Sequence, residues 1–469
     1  MIGYLYKCIE NTTCFSKSQL WEHIKHYYIQ LGESAWDRNV PYLVTNAKTT
    51  AKYHAHLILS HAKGPYTIID YGAGIGQHGY YLAHYLEKLT PQYQKPLEWF
   101  TLYLADISPS TIENLSKHIQ LQPFIHSRLV KPLLLTGNWL EDLNLPNTCQ
   151  HCLIANYLFD SMPFLAFENN QLMGLSLHAQ RRHLQSISLP TLVLKTRKLN
   201  QDSSQFEELK RRYQHLHRYT IPSMAIEFIQ SFFKKSDDAL MIINDKTFPH
   251  ISEIDYDPLF NLTLEGCYSS TLNMDAIIHT LQLPHSITNH FPRLQTVVLG
   301  HNTPPSSDQP NCSDTAALFE HYKKQTNIFA AHCHSIAKSL SYDPFCLELF
   351  SQAITPDGTS ISSILNLIQK CQANNFAKKS DFTLIHQGKI LRRLQHYKQA
   401  LAALEQYRSQ HSAHPAYHLE MAILYLDWGK KEKAIFHLQS CLLDKKTQVQ
   451  AKTLIEAHQL EEFPQKNEY

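Results

Sequence analysis

The stretch Thr67-Ile-Ile-Asp70-Tyr-Gly72-Ala73-Gly74-Ile-Gly76-Gln-His-Gly79 decides how the rest of the chain is read. A short β-branched run ends in an acid, and glycines follow at 72, 74, 76 and 79. The whole chain holds 14 glycines, so four within eight positions need a cause. Glycine lets the backbone enter φ > 0 and lets another group approach the main chain. Residues 79–89, GYYLAHYLEKL, then read as an amphipathic helix. Strand, glycine turn and helix together make a loop whose free N–H groups can receive a nucleotide-type cofactor.

The next strand, read over 100–105, ends at Asp106. A carboxylate there can accept from both hydroxyls of a ribose. A dinucleotide loop reads G-x-G-x-x-G and holds a pyrophosphate. Here the glycines run D-x-G-x-G-x-G behind an acid, and an oxidoreductase is set below the alternative. The pattern resembles motif I of the class I S-adenosylmethionine-dependent methyltransferases. That resemblance implies S-adenosyl-L-methionine as cofactor, its methionine end on Asp70, Gly72, Ala73, Gly74 and Gly76. It puts the ribose on Asp106, with Ile107, Asn138, Trp139 and Asn156 also in the cofactor site. A tight turn without any ligand is the plain alternative for the loop.

With 469 residues, 43% hydrophobic and 18% charged, the chain reads as a soluble protein of two to four domains. Its net charge is +2 and it has no extended basic run, so nothing directs it to nucleic acid. No apolar stretch is long enough to span a bilayer, and the N-terminus lacks the apolar region of a signal peptide. Ten dispersed cysteines then predict reduced thiols and a cytoplasmic location. Cys149 and Cys152 have C-x-x-C spacing, but no second pair answers them, and no metal site is expected. His332-Cys333-His334 reads as ordinary helix.

Residues 1–63 are read as an N-terminal helical segment that covers the cofactor, shapes the entrance or simply packs on a sheet. Between 67 and about 160 strands and helices alternate, which predicts a parallel sheet with ligands at the strand carboxyl ends. Asp70, Asp106, Asn138-Trp139 and Asn156 through Pro163 fall at such ends. The segment ANYLFDSMPF and the hairpin-like LAFENNQLMGLSL resemble the MidA-like methyltransferases, the family of the mitochondrial complex I assembly methyltransferase. Asn156, Asp160 and Pro163 match that family's Asn-Glu-x-x-Asp-x-x-Pro, while Tyr157 replaces its acid. The likeness extends to ALMIINDKTF, ending near Asp245, and to GCYSSTLNMDAIIHTL. It implies a methyltransferase domain over 64–300, acting on protein, with a substrate-side insertion over 164–238. Asn156, Tyr157 and Asp160 are the candidate catalytic residues, with Phe159 beside them. Asn156 could accept from a nucleophilic nitrogen, and Asp160 could orient it, or instead cap a helix.

Residues 301–314, rich in proline and polar side chains, read as a linker. Beyond it, 315–469 is helical, and two segments align with Ala400 over Ala434, a period of 434 − 400 = 34. Gly388 then aligns with Ala422, Leu391 with Tyr425 and Leu404 with Leu438. This resembles the tetratricopeptide repeat, which implies a protein or peptide partner; a plain helical bundle is the other reading. The expected fold is therefore α/β, a Rossmann-like seven-stranded methyltransferase sheet followed by an all-α tetratricopeptide-like domain. The expected function is methyl transfer to a protein recruited through the repeats. A non-catalytic binding scaffold with a relic methyltransferase fold is the second reading.

Overall fold

A computed structural model describes residues 6–32, 46–138, 140–142, 150–180, 192–199, 206–235, 238–256, 269–291, 294–300, 321–322, 324–325, 327–376, 382–410, 415–444 and 447–460. The chain forms two units, 1–317 and 318–469.

In the first unit, strands β2 (Tyr66–Tyr71), β3 (Phe100–Asp106), β4 (Val130–Leu134), β5 (Gln150–Asn156) and β10 (Ala239–Phe248) are parallel. Strand β12 (Leu294–Leu299) runs antiparallel to β10, and β11 (His285–Phe291) antiparallel to β12. The order is β11-β12-β10-β5-β2-β3-β4, with a two-residue strand, Leu272–Asn273, added beside β10. Every residue of β2 and β5 is buried. That is the signature of central strands covered on both faces, and it explains the apolar residues Ile68-Ile69 and Cys152 to Ala155 at their centres. Helices α2 (Lys48–His61), α3 (Gln77–Leu89), α4 (Pro109–Lys117), α6 (Ser223–Lys235) and α7 (Met274–Leu281) accompany this sheet. Phe228 of α6 packs edge-on against Tyr71 and Phe159, with ring centroids 5.4 and 5.7 Å apart.

A second sheet has the order β1-β7-β6-β9, with β8 (Leu192–Lys198) on β7. The hairpin of β6 (Leu165–Glu168) and β7 (Gln171–Gln180) turns at Asn169 and Asn170, with φ of 51° and 59°. Asparagine at both central positions suits the type I′ turn that matches strand twist. Strand β9 (Arg218–Ile221) pairs with β6. The insertion read over 164–238 thus supplies most of a sheet as well as the short helix α5 (Glu207–Arg212).

The fully helical reading of 1–63 is corrected here. Residues Tyr6–Cys14 form β1, antiparallel to β7. Register shifts between Cys8 and Glu10, and between Glu10 and Thr13, break the two-residue alternation that would have revealed a strand. Helices α1 (Leu20–Leu31) and α2 do form. Phe15, Leu20 and Ile24 bury against Leu175 and Leu177 of β7 and Phe164 just before β6.

The second unit consists mainly of helices: α8 (Ala330–Ser339), α9 (Phe345–Ala353), α10 (Ile361–Ala373), α11 (Thr383–Arg393), α12 (Tyr397–Gln410), α13 (Pro415–Asp427), α14 (Lys431–Leu442) and α15 (Gln448–Ala457). A two-strand bridge joins Ile328–Phe329 to Ile354–Thr355. Leu391, Ala400, Leu404, Ala422, Ala434 and Leu438 share one buried core. A Cβ on Gly388 would lie 2.8 Å from Leu404 Cδ2, so α11 and α12 are in close approach there. The linker at 301–314 and Trp139 lie outside the described residues.

Candidate functional site

Strands β3, β2 and β5 lie side by side, so Asp106, Gly72 and Asn156 emerge in a row from their carboxyl ends. The glycine loop is tied across to β3. Gly72 N and Ala73 N both donate to Ala105 O, at 2.8 and 2.9 Å. Gly74 N donates to Asp106 Oδ2 at 3.0 Å, and Ser108 N to Asp106 Oδ1 at 2.8 Å. Asp106 is buried, and burial pushes its carboxyl up, reinforced by the charge of Asp70, while the backbone donors pull it down. Gly76 caps α3 with φ 77°. A Cβ on Gly79 would stand 2.2 Å from Leu104 Cδ2, so this helix packs against β3 only because residue 79 has no side chain.

A cavity of about 540 Å³ opens above these strand ends, within the range of small-molecule sites. Gly72, Asp106, Ile107, Asn138, Asn156 and Tyr157 line it. Asp70, Ala73, Gly74 and Gly76 do not; they build the loop beneath. Tyr157 has φ 51°, a left-handed conformation that costs an aromatic residue about 1–3 kcal/mol. Its N–H donates to Asn244 O at 2.8 Å, which helps hold the strained turn. The Tyr157 hydroxyl is buried without a hydrogen-bond partner among the described residues. Burial first, then the charges of Asp245 and Asp160, raise its pKa, so it stays a neutral donor. Tyr157 thus lines the cavity with other atoms, while its hydroxyl is sealed from it on the side of Asp245 and Asp160.

Asp160 does not line the cavity and is 2% exposed. Its carboxylate accepts from Ser161 Oγ at 2.9 Å and faces Lys246 Nζ at 3.8 Å. Lys246 also donates to Ser269 Oγ at 2.8 Å and lies 5.8 Å from the Tyr157 ring centre. Asp160 N donates to Asp245 Oδ2 at 3.1 Å. Burial, opposed by Lys246, raises the Asp160 carboxyl; burial and the nearby Asp160 raise that of Asp245. Asp160 is therefore neither a cavity contact nor the N-cap that the sequence suggested; Leu158 holds the cap of that short turn.

Several cavity residues escaped the sequence reading. Trp21, Glu22, Lys25 and Tyr28 of α1, with Ser16, Lys17 and Ser18 just before it, form one wall. Lys25 Nζ reaches Gly137 O at 3.4 Å. Asp142 fastens the loop after β4, accepting from Thr136 N at 2.7 Å, Gly137 N at 3.0 Å and the Tyr71 hydroxyl at 3.4 Å. No local motif marks these residues; only the fold brings 16–28 over the ends of β2 and β3.

Among the described residues no group of three or more His, Cys, Asp or Glu side chains could hold a metal ion, and no helix is long and apolar enough to cross a membrane. Cys152 is buried within β5, where burial foremost pushes its thiol up; Cys149 lies outside the described residues.

Residues 50–280 match a family described as "Putative S-adenosyl-L-methionine-dependent methyltransferase". The cofactor of that family is S-adenosyl-L-methionine. No curated protein matches the chain. Two solved structures from Burkholderia thailandensis are similar. One, an uncharacterized superfamily protein, is 13% identical with a TM-score of 0.43, over 62% of this chain and 88% of that one. The other, a member of the same superfamily and candidate methyl transferase bound to S-adenosyl-homocysteine, is 12% identical with a TM-score of 0.47, over 62% and 89%.

Proposed function

We propose that residues 64–300 form a Rossmann-like methyltransferase dependent on S-adenosyl-L-methionine and acting on a protein substrate in the cytoplasm. Residues 315–469, as tetratricopeptide-like repeats, recruit that substrate. The observation that carries the reading is the single cavity that gathers Gly72, Asp106, Asn156 and Tyr157 at three neighbouring strand ends. The family match over 50–280 supports the methyltransferase part. The 34-residue spacing and the shared core of α11 to α14 support the repeats.

The residues present fit the cofactor. Asp106 offers carboxylate lone pairs to a ribose diol, Ile107 and Leu135 give apolar walls, and Asn138 and Asn156 add polar side chains. When bound, S-adenosyl-L-methionine supplies an activated methyl group on a sulfonium. The chain's own task is to place a nucleophile in line and keep water away, so orientation carries most of the rate. Tyr157 contributes an aromatic face that favours a cation. Asp160 acts from behind, pairing with the Lys246 that lies over the Tyr157 ring. Because Tyr157 stands where the resembling family carries an acid, the segment lacks the carboxylate that would grip a guanidinium through two parallel bonds. Arginine is accordingly not the favoured acceptor.

Calorimetry tests the reading. S-adenosyl-L-methionine should bind at one site per chain, and labelled methyl should pass to protein in a lysate. Preference for a nicotinamide cofactor overturns the reading; binding without transfer to protein, lipid or small molecule leaves a scaffold. A dimethylarginine product overturns the specificity.

A further inference from the structure

Below the cavity runs an unbroken line of buried polar side chains: Asp70 on β2, His78 on α3, His54 on α2, Asn244 on β10 and Asn156 on β5, each at least nine-tenths buried. His78 Nδ1 lies 2.9 Å from Asp70 Oδ2, and His78 Nε2 lies 2.9 Å from His54 Nδ1. His54 Nε2 lies 3.4 Å from Asn244 Nδ2, which also donates to Asn156 Oδ1. Thr296 Oγ1 donates to Asn244 Oδ1 at 2.5 Å.

The line has one direction. Asn244 accepts from Thr296 at its oxygen and donates from its NH₂ to Asn156 Oδ1, so the second hydrogen of that NH₂ faces His54 Nε2. His54 Nε2 must then accept, which puts its hydrogen on Nδ1. That hydrogen goes to His78 Nε2, which accepts in turn. The ring hydrogen of His78 is left on Nδ1, facing Asp70. With its oxygen engaged from behind, Asn156 presents its NH₂ to the cavity. The backbone N–H of the next residue, Tyr157, is held by the carbonyl of the same Asn244.

We propose that Asp70, His78, His54 and Asn244 are positioning residues that aim the Asn156 amide into the cavity as a hydrogen-bond donor, so that Asn156 takes the amino-acid carboxylate of the cofactor. The choice of ligand oxygen rests on the methyltransferase reading; the direction of the hydrogen-bond line does not. Strand order supports the choice. Asp106, Gly72 and Asn156 stand on adjacent strands about 4.8 Å apart, so a ligand with its ribose at β3 has its amino-acid end towards β5. On this proposal Asn156 donates to the cofactor, where the sequence suggested that it accepts from a nucleophilic nitrogen.

The test has two independent readouts on the full chain. Ring ¹⁵N spectra, assigned with His54→Gln and His78→Gln, should show both rings as neutral Nδ1–H tautomers at neutral pH. Either ring found as the Nε2–H tautomer or as a cation overturns the line. Titration with S-adenosyl-homocysteine should show Asn156→Asp, which keeps the rear acceptor and removes the front donor, weakening binding roughly 10- to 100-fold, the scale of one hydrogen bond to a charged group. His54→Leu should weaken binding comparably, and His54→Gln, which can donate and accept in the same sense, should restore it. Unchanged or tighter binding by Asn156→Asp overturns the donor role. Should His54→Leu not fold, the ring spectra and Asn156→Asp still decide. If the unaltered chain does not bind S-adenosyl-homocysteine, the methyltransferase reading fails, while the ring spectra continue to judge the hydrogen-bond line.

Discussion

Asp106 carries two duties at once, and its variants should separate them. Its two oxygens each accept from a backbone N–H, Gly74 on one side and Ser108 on the other, so the carboxylate braces the glycine loop as well as facing the cavity. Asp106→Ala should weaken S-adenosyl-homocysteine binding by about 1–3 kcal/mol, read by calorimetry, and also lower the melting temperature; unchanged affinity removes the ribose assignment. Gly76→Ala tests the loop without touching the cavity. The residue needs φ 77°, and a Cβ there would meet Leu115 Cδ2 at 2.3 Å. A left-handed conformation costs a substituted residue about 1–2 kcal/mol, and denaturant titration should show at least that loss. Asp160→Asn should behave differently again: stability falls because Lys246 loses its buried counter-charge, while S-adenosyl-homocysteine affinity holds. A large loss of affinity in Asp160→Asn would return Asp160 to the cavity. Much of this was legible in sequence, since Gly72, Asp106, Asn156 and Tyr157 lie next to glycines or strand ends. Asp160 was misread because spacing says that it follows a strand, not which way its side chain turns. His54 and His78 carried no signal, being two among 29 histidines until α2 and α3 brought them together.

At the scale of elements, the central strands announced themselves and the flanking ones did not. Strands β2 and β5 are buried throughout because both faces are covered, and the apolar stretches Ile68-Ile69 and Cys152 to Ala155 within them stand out in the sequence. Strand β1 is half-buried with two register shifts, so its alternation is lost and YKCIENTTC does not read as a strand. The cost of missing it was missing one wall of the cavity, since β1 and the turn after it lead into α1. Trp21 fixes that entry: its Nε1–H donates to Phe15 O at 2.6 Å, and its ring meets Phe164 edge-on at 5.5 Å. Trp21→Ala should therefore loosen α1 and weaken S-adenosyl-homocysteine binding without altering the glycine loop. Hydrogen exchange checks this: protection should fall over 20–31 and persist over 66–71. Loss spread evenly over both segments would mean that α1 and the sheet yield together.

For the whole molecule, the two units have separate cores, one around Ile69, Leu153 and Phe228 and the other around Leu391, Ala400 and Leu438. A chain ending at residue 317 should keep the S-adenosyl-homocysteine affinity of the full chain. The second unit should respond to acid in a way set by two histidines, one buried and one partly buried. In α11, burial, aided by Lys389, brings His386 down to about 3. In α14, burial, then His418 and Arg408, bring His437 down to about 4. An unfolded chain has both near the ordinary 6.5. Between those values the unfolded state binds the proton and the folded state does not, so stability rises with pH. It is fully present above about 6.5 and is lost as pH falls towards about 4 and then 3. Each pH unit between the folded and unfolded values is worth about 1.4 kcal/mol per group. Exchange protection of α11 and α14 should accordingly drop from pH 7.5 to pH 5, and the double variant His386→Gln, His437→Gln should lose most of that dependence. If the double variant keeps the full acid sensitivity, the burial of these two imidazoles is not what sets the unit's response to pH.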